Sequence, residues 1–238
     1  MSMNNKQTRN IAICMASFKG CEIEVLMGFS QAAFRLGRDT EDRFAFFPAV
    51  RQRAERAANL SLQHMEDEEE KLGIKFSHII WIDDDVVVNG DAILKLLDSI
   101  DSEHRVVASL SFERNGAYRP AIWKAHKWGG EAITIEQIFD YPEDDLIEIE
   151  ASGLCCVAFD RTVFDEIKKP YFDWILKGYK QRGCSPDIYL FMKLNEAGIK
   201  CFCHTGIKVG HMSFPYIVDE AFALKHKDQW KHTANLPR

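Results

Sequence analysis

The feature that most constrains the fold of this chain is a short apolar run that ends in three consecutive carboxylates. Residues 79–82 are apolar and rich in β-branched side chains, which is typical of a strand buried on both faces. Asp83, Asp84 and Asp85 follow directly. Side chains alternate along an extended chain, so Asp83 and Asp85 should point the same way, about 7 Å apart, and Asp84 the other way.

Such a pair of carboxylates suits a hard divalent cation, which would also relieve their mutual repulsion. Open α/β sheets bind their ligands at the carboxyl ends of strands, which is where the three aspartates are expected. A ligand site is therefore predicted here, and the alternative is a solvated acidic turn before the next helix.

Composition limits the classes of protein to consider. With 238 residues, 46% of them hydrophobic, the chain can bury a full core in one domain. Its formal net charge of -6 argues against a broad nucleic-acid surface. The seven cysteines include the adjacent Cys155 and Cys156, which favours reduced thiols. No apolar run is long enough for a bilayer and the N-terminus has no signal-peptide core, so we expect a cytoplasmic protein.

The first 50 residues predict the start of a parallel sheet. Residues 11–18 form an apolar run, residues 44–47 form a second one closed by Pro48, and a helix is expected between them. The predicted buried face of this helix contains the following residues, with Gly37 as its stop: Leu26, Phe29, Ala33 and Leu36. We expect an α/β domain with a mainly parallel central sheet flanked by helices.

A second helix, predicted over residues 50–72, has three arginines near its start: Arg51, Arg53 and Arg56. Cations are mildly unfavourable at a helix N-terminus, so these side chains are not explained by the helix dipole. Guanidinium groups and free helix amides together would suit a phosphate or pyrophosphate. The alternative is that the arginines pair with surface acids.

Further features lie in the second half of the chain. A strand region is broken at Ser152 and Gly153, where a ligand would approach the backbone. Asp187 lies in the first turn of a helix that Ser185 caps, and His211 follows the last predicted strand. Residues 112–145 are rich in loops and aromatics, among them Tyr118, Trp123 and Trp128, and would form either a sugar or base site or a local mini-core.

In this order, these features resemble the nucleotide-sugar glycosyltransferases of GT-A fold, in particular the compact bacterial and phage members related to family 2. The resemblance covers about residues 11–212. It implies a single Rossmann-like GT-A domain over residues 1–238. Residues 1–110 would be the nucleotide-binding half, residues 111–212 the acceptor and metal half, and residues 213–238 a C-terminal helical tail.

The resemblance also implies a donor site. Ala16 and Ser17 would lie beside the base and ribose, and Arg56, in a motif with Asn59, would face the donor. Asp83 would reach the ribose or a metal-bound water, with Asp84 beside it. Gly153 would form the floor of the sugar site.

For metal binding and catalysis, the resemblance implies Asp83, Asp85 and His211 as the metal site and Asp187 as the general base. Relatives have Glu-Asp where this chain has Pro186 and Asp187, so one carboxylate is missing. The helix N-terminus is expected to lower the pKa of Asp187 and to weaken it as a base. A mixed carboxylate and imidazole site favours Mn²⁺ over Mg²⁺.

The implied function is metal-dependent, inverting transfer of a sugar, a hexose in the first instance, from a UDP- or GDP-sugar to an acceptor hydroxyl. The acceptor class stays open between a glycan, a lipid-linked sugar, a protein and a modified nucleobase. One alternative is a haloacid-dehalogenase-type phosphatase, in which Asp83 attacks phosphorus and Asp85 acts as acid. Others are a nucleotidyltransferase, a non-catalytic nucleotide-binding protein, and a structural zinc site at Cys201, Cys203 and His204, with His211 downstream.

Overall fold

A computed structural model describes residues 8–127, 134–175 and 184–232 of the chain. The strands are β1 (Asn10–Ser17), β2 (Arg43–Val50), β3 (His78–Ile82), β4 (Val86–Val87), β5 (Val106–Leu110), β6 (Ile122–Lys127), β7 (Thr134–Gln137), β8 (Leu146–Ile149), β9 (Ala151–Ser152), β10 (Cys156–Asp160), β11 (Cys201–Lys208), β12 (Gly210–Ser213) and β13 (Tyr216–Val218). The helices are α1 (Ile23–Asp39), α2 (Ala54–Leu72), α3 (Ala92–Asp98), α4 (Val163–Glu166), α5 (Pro186–Glu196), α6 (Glu220–Lys225) and α7 (Asp228–His232).

In the described part of the chain, the central sheet has seven strands in the order β2-β1-β3-β10-β5-β11-β8. β1 pairs in parallel with both β2 and β3, and β5 pairs in parallel with β11. β10 is antiparallel to β3 and β5, and β8 is antiparallel to β11. Five strands therefore share one direction, which confirms the prediction of a mainly parallel α/β sheet. Two smaller sheets, β13-β12-β4 and β7-β6-β9, lie beside it.

Helices cover both faces of the central sheet. Alternate residues of the strands enter two apolar clusters, for example Ala12 and Ile79 on one face and Ile13 and Ile80 on the other. α2 and α5 contribute to the first cluster, and α1 and α3 to the second. β1 and β3 are therefore buried on both faces, as their apolar sequences predict.

Helix α1 differs from its prediction in both its face and its end. Its buried residues are Val25, Gly28, Ala32 and Leu36, whereas Leu26 is 48% exposed. The face is set by Gly28, since a Cβ there would lie 2.5 Å from the carbonyl oxygen of Val88. The helix also continues through Gly37 to Asp39. Leu36 is buried and Phe29 packs against the second cluster, as predicted, but the face is turned toward Gly28 and Ala32, because the helix packs through its smallest residues.

The ends of the other helices and strands lie close to their predicted positions. β2 continues through Pro48 to Val50, since β2 is an edge strand and a proline there leaves no internal ladder bond unmade. α2 begins at Ala54, after the predicted start at Val50. The tail forms α6 and α7, and the Asp219 carboxylate accepts a hydrogen bond from the Phe222 N–H at the start of α6.

No disulfide joins any of the seven cysteines, which all lie in the described part of the chain, and six of them are buried. This arrangement agrees with the prediction of reduced thiols. Within the described ranges, no helix has both the length and the apolar character needed to cross a membrane.

Two glycines of α1 allow a matched test of this packing. We expect Gly28→Ala to lower the free energy of unfolding by about 1–3 kcal/mol, because the new methyl group forces α1 away from the Val88 carbonyl. Gly37→Ala, which meets nothing within 4 Å, should instead raise it by about 0.5–1 kcal/mol. Urea denaturation of both variants measures the difference, and equal effects would refute the described packing of α1.

A buried ion pair predicts how stability depends on pH. Arg161 Nη2 lies 3.1 Å from Glu69 Oε2, and these side chains are 5% and 2% exposed. Burial opposes ionisation of Glu69, but hydrogen bonds from Lys75 and the Phe76 N–H, together with Arg161, outweigh it and lower the pKa of Glu69. Its contribution to stability is therefore complete above the ordinary Glu pKa and is lost as pH falls through the lowered, folded-state pKa.

We expect Glu69→Gln to lower the free energy of unfolding at pH 7 by about 3 kcal/mol, because it removes the buried counter-charge of Arg161 and leaves only the exposed Asp165 as a partner. The difference from wild type should shrink as the pH falls below the ordinary Glu pKa. Glu68→Gln, on the same helix with an exposed partner at Lys71, should change stability by less than about 1 kcal/mol. Chemical denaturation across pH measures both, and a pH-independent difference would contradict this assignment.

Candidate functional site

The triple aspartate lies where β3 leaves the central sheet. The Asp83 N–H donates to the Cys155 carbonyl at 3.1 Å, and the Val86 N–H donates to the Asp83 carbonyl at 3.2 Å, which turns the chain into β4. β4 then pairs with β12, with Val86 opposite His211. The Met212 N–H also donates to the Asp85 carbonyl, at 2.8 Å. A short antiparallel ladder thus carries His211 to the aspartate loop.

Asp85 and His211 face each other, with Asp85 Oδ1 3.3 Å from His211 Nε2. The other oxygen of Asp85, Oδ2, is in an ion pair with the Arg114 guanidinium. Burial opposes ionisation of Asp85, but the hydrogen bond and charge of His211, with Arg114, outweigh it and lower the pKa of Asp85. Asp85 is therefore an ionised carboxylate between two basic groups.

The orientation of His211 suits metal ligation. Its Nδ1 lies 3.0 Å from the Phe112 carbonyl oxygen and 3.9 Å from Cys155 Sγ. With the Nδ1–H donated to a backbone carbonyl, Nε2–H faces Asp85 and donates to it, and loss of that proton would leave an Nε2 lone pair available to a metal, as in many metal-binding histidines. Burial disfavours the imidazolium, but Cys155 and Asp85 outweigh it and raise the pKa of His211 to about 11. A cation that binds His211 would thus have to displace the proton on Nε2.

Asp85 and His211 together fit a cation that brings ligands of its own. Among residues 8–127, 134–175 and 184–232, no group of three or more His, Cys, Asp or Glu side chains forms a ready metal cage. One carboxylate and one imidazole leave the other coordination positions to water or phosphate oxygens, which suits Mn²⁺ or Mg²⁺ bound together with a phosphorylated ligand.

Asp83 is half-buried and is held by Trp81, whose Nε1–H donates to Asp83 Oδ1 at 2.7 Å. Burial, together with the charge of Asp85 and a contribution from Asp187, raises the pKa of Asp83 to about 7. Asp83 and Asp85 differ in charge state. The chain turns at Asp84 and Asp85, so the alternation expected of an extended chain does not apply to these three residues.

Asp187 lies in the first turn of α5 and is close enough to Asp83 to raise its pKa. The Ser185 hydroxyl donates to the Asp187 carboxylate and accepts no capping hydrogen bond from the helix backbone, and the Ile188 N–H donates to Asp187 as well. Burial nevertheless outweighs these bonds and raises the pKa of Asp187. The expectation that the helix N-terminus lowers this pKa is wrong, because desolvation is the larger effect. A raised pKa makes the carboxylate a stronger base.

Asp84 points away from the other two aspartates. Burial raises its pKa, partly offset by hydrogen bonds from the Ser17 hydroxyl and the Phe18 N–H. Ser17 is 4% exposed and also accepts a hydrogen bond from the Gly20 N–H at 3.0 Å. Ser17 and Asp84 therefore bind each other and fix the loop after β1, with half-buried Ala16 just before it.

Gly153 lies beside the site, next to Cys155 and to Ser111 and Ala121. A Cβ at Gly153 would meet these neighbours at 3.4–3.9 Å, which is ordinary contact. The protein's own packing therefore does not demand a glycine there, and the predicted approach of a ligand stays a prediction.

The arginines near the start of α2 are exposed. In the described part of the chain, Arg51, Arg53 and Arg56 have no ion pair with an acid, so surface pairing does not account for them. Asn59 has a different role from its neighbour Arg56. Its amide donates to the Phe172 carbonyl at 2.7 Å and its oxygen accepts from the Tyr171 N–H at 2.9 Å, which fastens that loop to α2.

The structure separates the residues of the zinc alternative. Cys201 and Cys203 are fully buried in the cluster beneath α2 and α5, whereas His204 points to the opposite face of β11. Alternation along the strand prevents the three side chains from converging.

The aromatic segment supports the mini-core interpretation where it is described. The Tyr118 ring packs 4.9 Å from Phe222 and 5.0 Å from His226, and Trp123 packs against the main cluster. Trp128 lies outside the described residues.

Three residues of the site were not predicted from the sequence: Trp81, Arg114 and Cys155. Trp81 was detectable, since it lies two residues before Asp83 on the same face of a strand. Arg114 and Cys155 reach the site only through loops and sheet pairing, and no local pattern indicates them.

No protein-family model matches the chain, and a search of curated proteins finds no significant match. Among solved structures, A197 from STIV is similar over 87% of this chain and 86% of its own, with a TM-score of 0.54 and 14% identity. This likeness shows a shared fold.

Two further structures have TM-scores of 0.47. One is a Drosophila β1,4-galactosyltransferase 7 mutant in complex with manganese, UDP-Gal and xylobiose, at 12% identity, covering 87% of this chain and 71% of that one. The other is the inositol-1-phosphate CTP transferase from T. maritima, at 10% identity, covering 97% and 98%. The structural neighbours of the chain thus include a glycosyltransferase and a nucleotidyltransferase.

Proposed function

We propose that the chain is a metal-dependent glycosyltransferase that moves a sugar from a nucleoside-diphosphate sugar to an acceptor hydroxyl. The observation that carries the proposal is the pairing of Asp85 with His211, 3.3 Å apart at the end of β3, with Asp83 two residues away and Asp187 near enough to raise the pKa of Asp83. These residues are up to 128 positions apart in the sequence, and they meet at the edge where open α/β sheets bind nucleotides.

Asp85 and His211 would hold the cation, with Mn²⁺ preferred over Mg²⁺ because of the imidazole. When bound, the cation would neutralise charge on the diphosphate leaving group. Arg56, exposed on the first turn of α2, would offer a further positive charge to the donor. Asp83 would contact the ribose or a metal-bound water, and Gly153 would line the sugar site.

Asp187 would accept the proton of the acceptor hydroxyl. Its raised pKa supports this role, because a base is most effective when its pKa approaches the working pH. With a single base on the acceptor side, attack would occur opposite the leaving group and invert the anomeric carbon. The donor would be a UDP- or GDP-sugar, and the acceptor would be a glycan, a lipid-linked sugar, a protein or a modified nucleobase.

The phosphatase alternative fits the site less well. That chemistry needs an ionised Asp83 as nucleophile and a protonated Asp85 as acid. The pKa of Asp83 is raised to about 7, whereas the pKa of Asp85 is lowered between His211 and Arg114. Both shifts oppose the required roles. A nucleotidyltransferase would differ in its product, pyrophosphate in place of a nucleoside diphosphate.

The donor site can be tested by thermal shift with nucleoside diphosphates, with and without Mn²⁺. We expect one nucleotide to raise the melting temperature only when Mn²⁺ is present. At about 100 times Kd the stabilisation should be about 2.7 kcal/mol. Asp85→Asn should abolish the shift because it removes the charged ligand of the cation.

Asp228→Asn, an exposed carboxylate on α7, is the matched control and should keep the full shift. A shift that is indifferent to both Mn²⁺ and Asp85, or no shift with any nucleotide, would refute the donor site.

Catalysis can be separated from binding at Asp187. We expect Asp187→Asn to lower kcat by about 10²–10⁴-fold, because the variant cannot accept a proton, while the nucleotide-induced thermal shift stays unchanged. In wild type, kcat/KM should rise with pH through the raised pKa of Asp187, and the variant should lose that acid limb.

Glu196→Gln, at the exposed last residue of the same helix, should leave both the rate and the pH profile unaltered. Product analysis by liquid chromatography in the same assay distinguishes a nucleoside diphosphate from pyrophosphate. If Asp187→Asn keeps the wild-type rate, the assignment of the base is wrong.

A further inference from the structure

The Asp85 carboxylate has a basic group on each oxygen. Oδ1 faces His211 Nε2 at 3.3 Å, and Oδ2 is in an ion pair with Arg114. A cation ligated by Asp85 would need an oxygen that now contacts a guanidinium. Two cations on one carboxylate repel each other, so the metal and the Asp85–Arg114 pair are in competition.

The backbone around Arg114 is fixed. The loop closes through a bridge between Phe112 and Pro120, and the Glu113 N–H donates to the Arg119 carbonyl at 2.8 Å. Arg119 also pairs with the Glu113 carboxylate at 3.0 Å, and these side chains are 6% and 11% exposed. A change in the partner of Arg114 would therefore be a side-chain rotation and not a loop movement.

The side chain of Arg114, by contrast, is 51% exposed. Apart from Asp85, its only hydrogen-bond partner in the described part of the chain is the Met212 carbonyl, at a long 3.5 Å. The two arginines of this loop thus differ: Arg119 is a buried structural residue, whereas Arg114 is half exposed, with Asp85 as its ion-pair partner and Asp84 as a second nearby carboxylate.

We propose that Arg114 is an exchangeable counter-ion, which neutralises Asp85 when no metal is bound and transfers to the donor diphosphate when the metal takes Asp85. This inference rests on the proposed function. A guanidinium released beside the cation would lie next to the phosphates that the cation ligates, and its planar set of donors suits phosphate oxygens.

Such an exchange makes binding synergistic. When metal binds alone, it must displace Arg114 from Asp85, and the displaced guanidinium finds no new anionic partner. The affinity of the protein for free metal is therefore reduced. Metal with a diphosphate gives the displaced guanidinium a new partner. By thermodynamic linkage, the diphosphate must strengthen metal binding by the same factor as the metal strengthens diphosphate binding.

The test compares wild type with Arg114→Met in two measurements that need no turnover. Free Mn²⁺ binding is followed by electron paramagnetic resonance, and binding of the preformed Mn²⁺–pyrophosphate complex by calorimetry. Pyrophosphate carries no nucleobase, so the identity of the donor nucleotide need not be known. We expect Arg114→Met to bind free Mn²⁺ about three- to tenfold more tightly, because the competing charge is gone. The same variant should bind the pyrophosphate complex about tenfold more weakly, because a charge-assisted hydrogen bond is lost.

Two further variants act as controls. Arg114→Lys keeps the charge, so its affinity for free Mn²⁺ should stay near the wild-type value, while pyrophosphate binding is only partly restored. Arg43→Met removes one exposed positive charge at the start of β2 and should change neither measurement.

Opposite signs of the two changes in Arg114→Met support the exchange. An unchanged affinity for free Mn²⁺, or a change of the same sign in both measurements, overturns the exchange of Arg114. Metal binding that still depends on Asp85 would then leave the proposed function in place. If wild type binds neither Mn²⁺ nor the complex, or if binding survives in Asp85→Asn, the proposed function itself fails.

Discussion

The short ladder between β4 and β12 is the interaction on which the candidate site depends. It places Val86 opposite His211 and, through the hydrogen bond from Met212 to Asp85, holds the imidazole against the aspartate loop. On the other edge of β12, Gly210 lets β13 pack closely, because a Cβ there would lie 2.4 Å from a methyl group of Ile217. Without this ladder, the aspartates would be an acidic loop end with no basic partner from the second half of the chain.

The carboxylates gathered at this edge differ in charge state because their surroundings differ. Asp85 is ionised between His211 and Arg114, whereas burial raises the pKa of Asp83 and Asp187. Three ionised carboxylates in one half-buried cleft would repel one another. Because their pKa values differ, Asp85 can bind the cation as an ionised carboxylate and Asp187 can accept a proton. The proposed glycosyl transfer requires both roles.

Much of the fold follows from apolar pattern alone. The strand before Asp83 was predictable, because a strand buried on both faces has a distinctive sequence. The buried face of α1 was predictable only in part. Leu36 is buried, but the helix also packs through Gly28 and leaves Leu26 exposed, because hydrophobicity gives no weight to the space that glycine leaves.

The site was predictable in its members but not in its electrostatics. Local sequence indicated a helix N-terminus at Asp187, which alone would lower its pKa, whereas burial by distant segments raises it. Arg114 is 29 positions from Asp85 and reaches it through a loop whose shape depends on the buried pair of Arg119 and Glu113. Interactions of this kind arise only once the chain is folded.

The central claim is that one cation is bound by this chain and by a diphosphate at the same time. Electron spin-echo envelope modulation of Mn²⁺ in the complex with a nucleoside diphosphate tests it most directly. We predict nitrogen coupling from His211 and phosphorus coupling from the diphosphate on the same ion, with the nitrogen coupling absent in His211→Gln. Phosphorus coupling without nitrogen coupling in the wild-type complex would contradict the account.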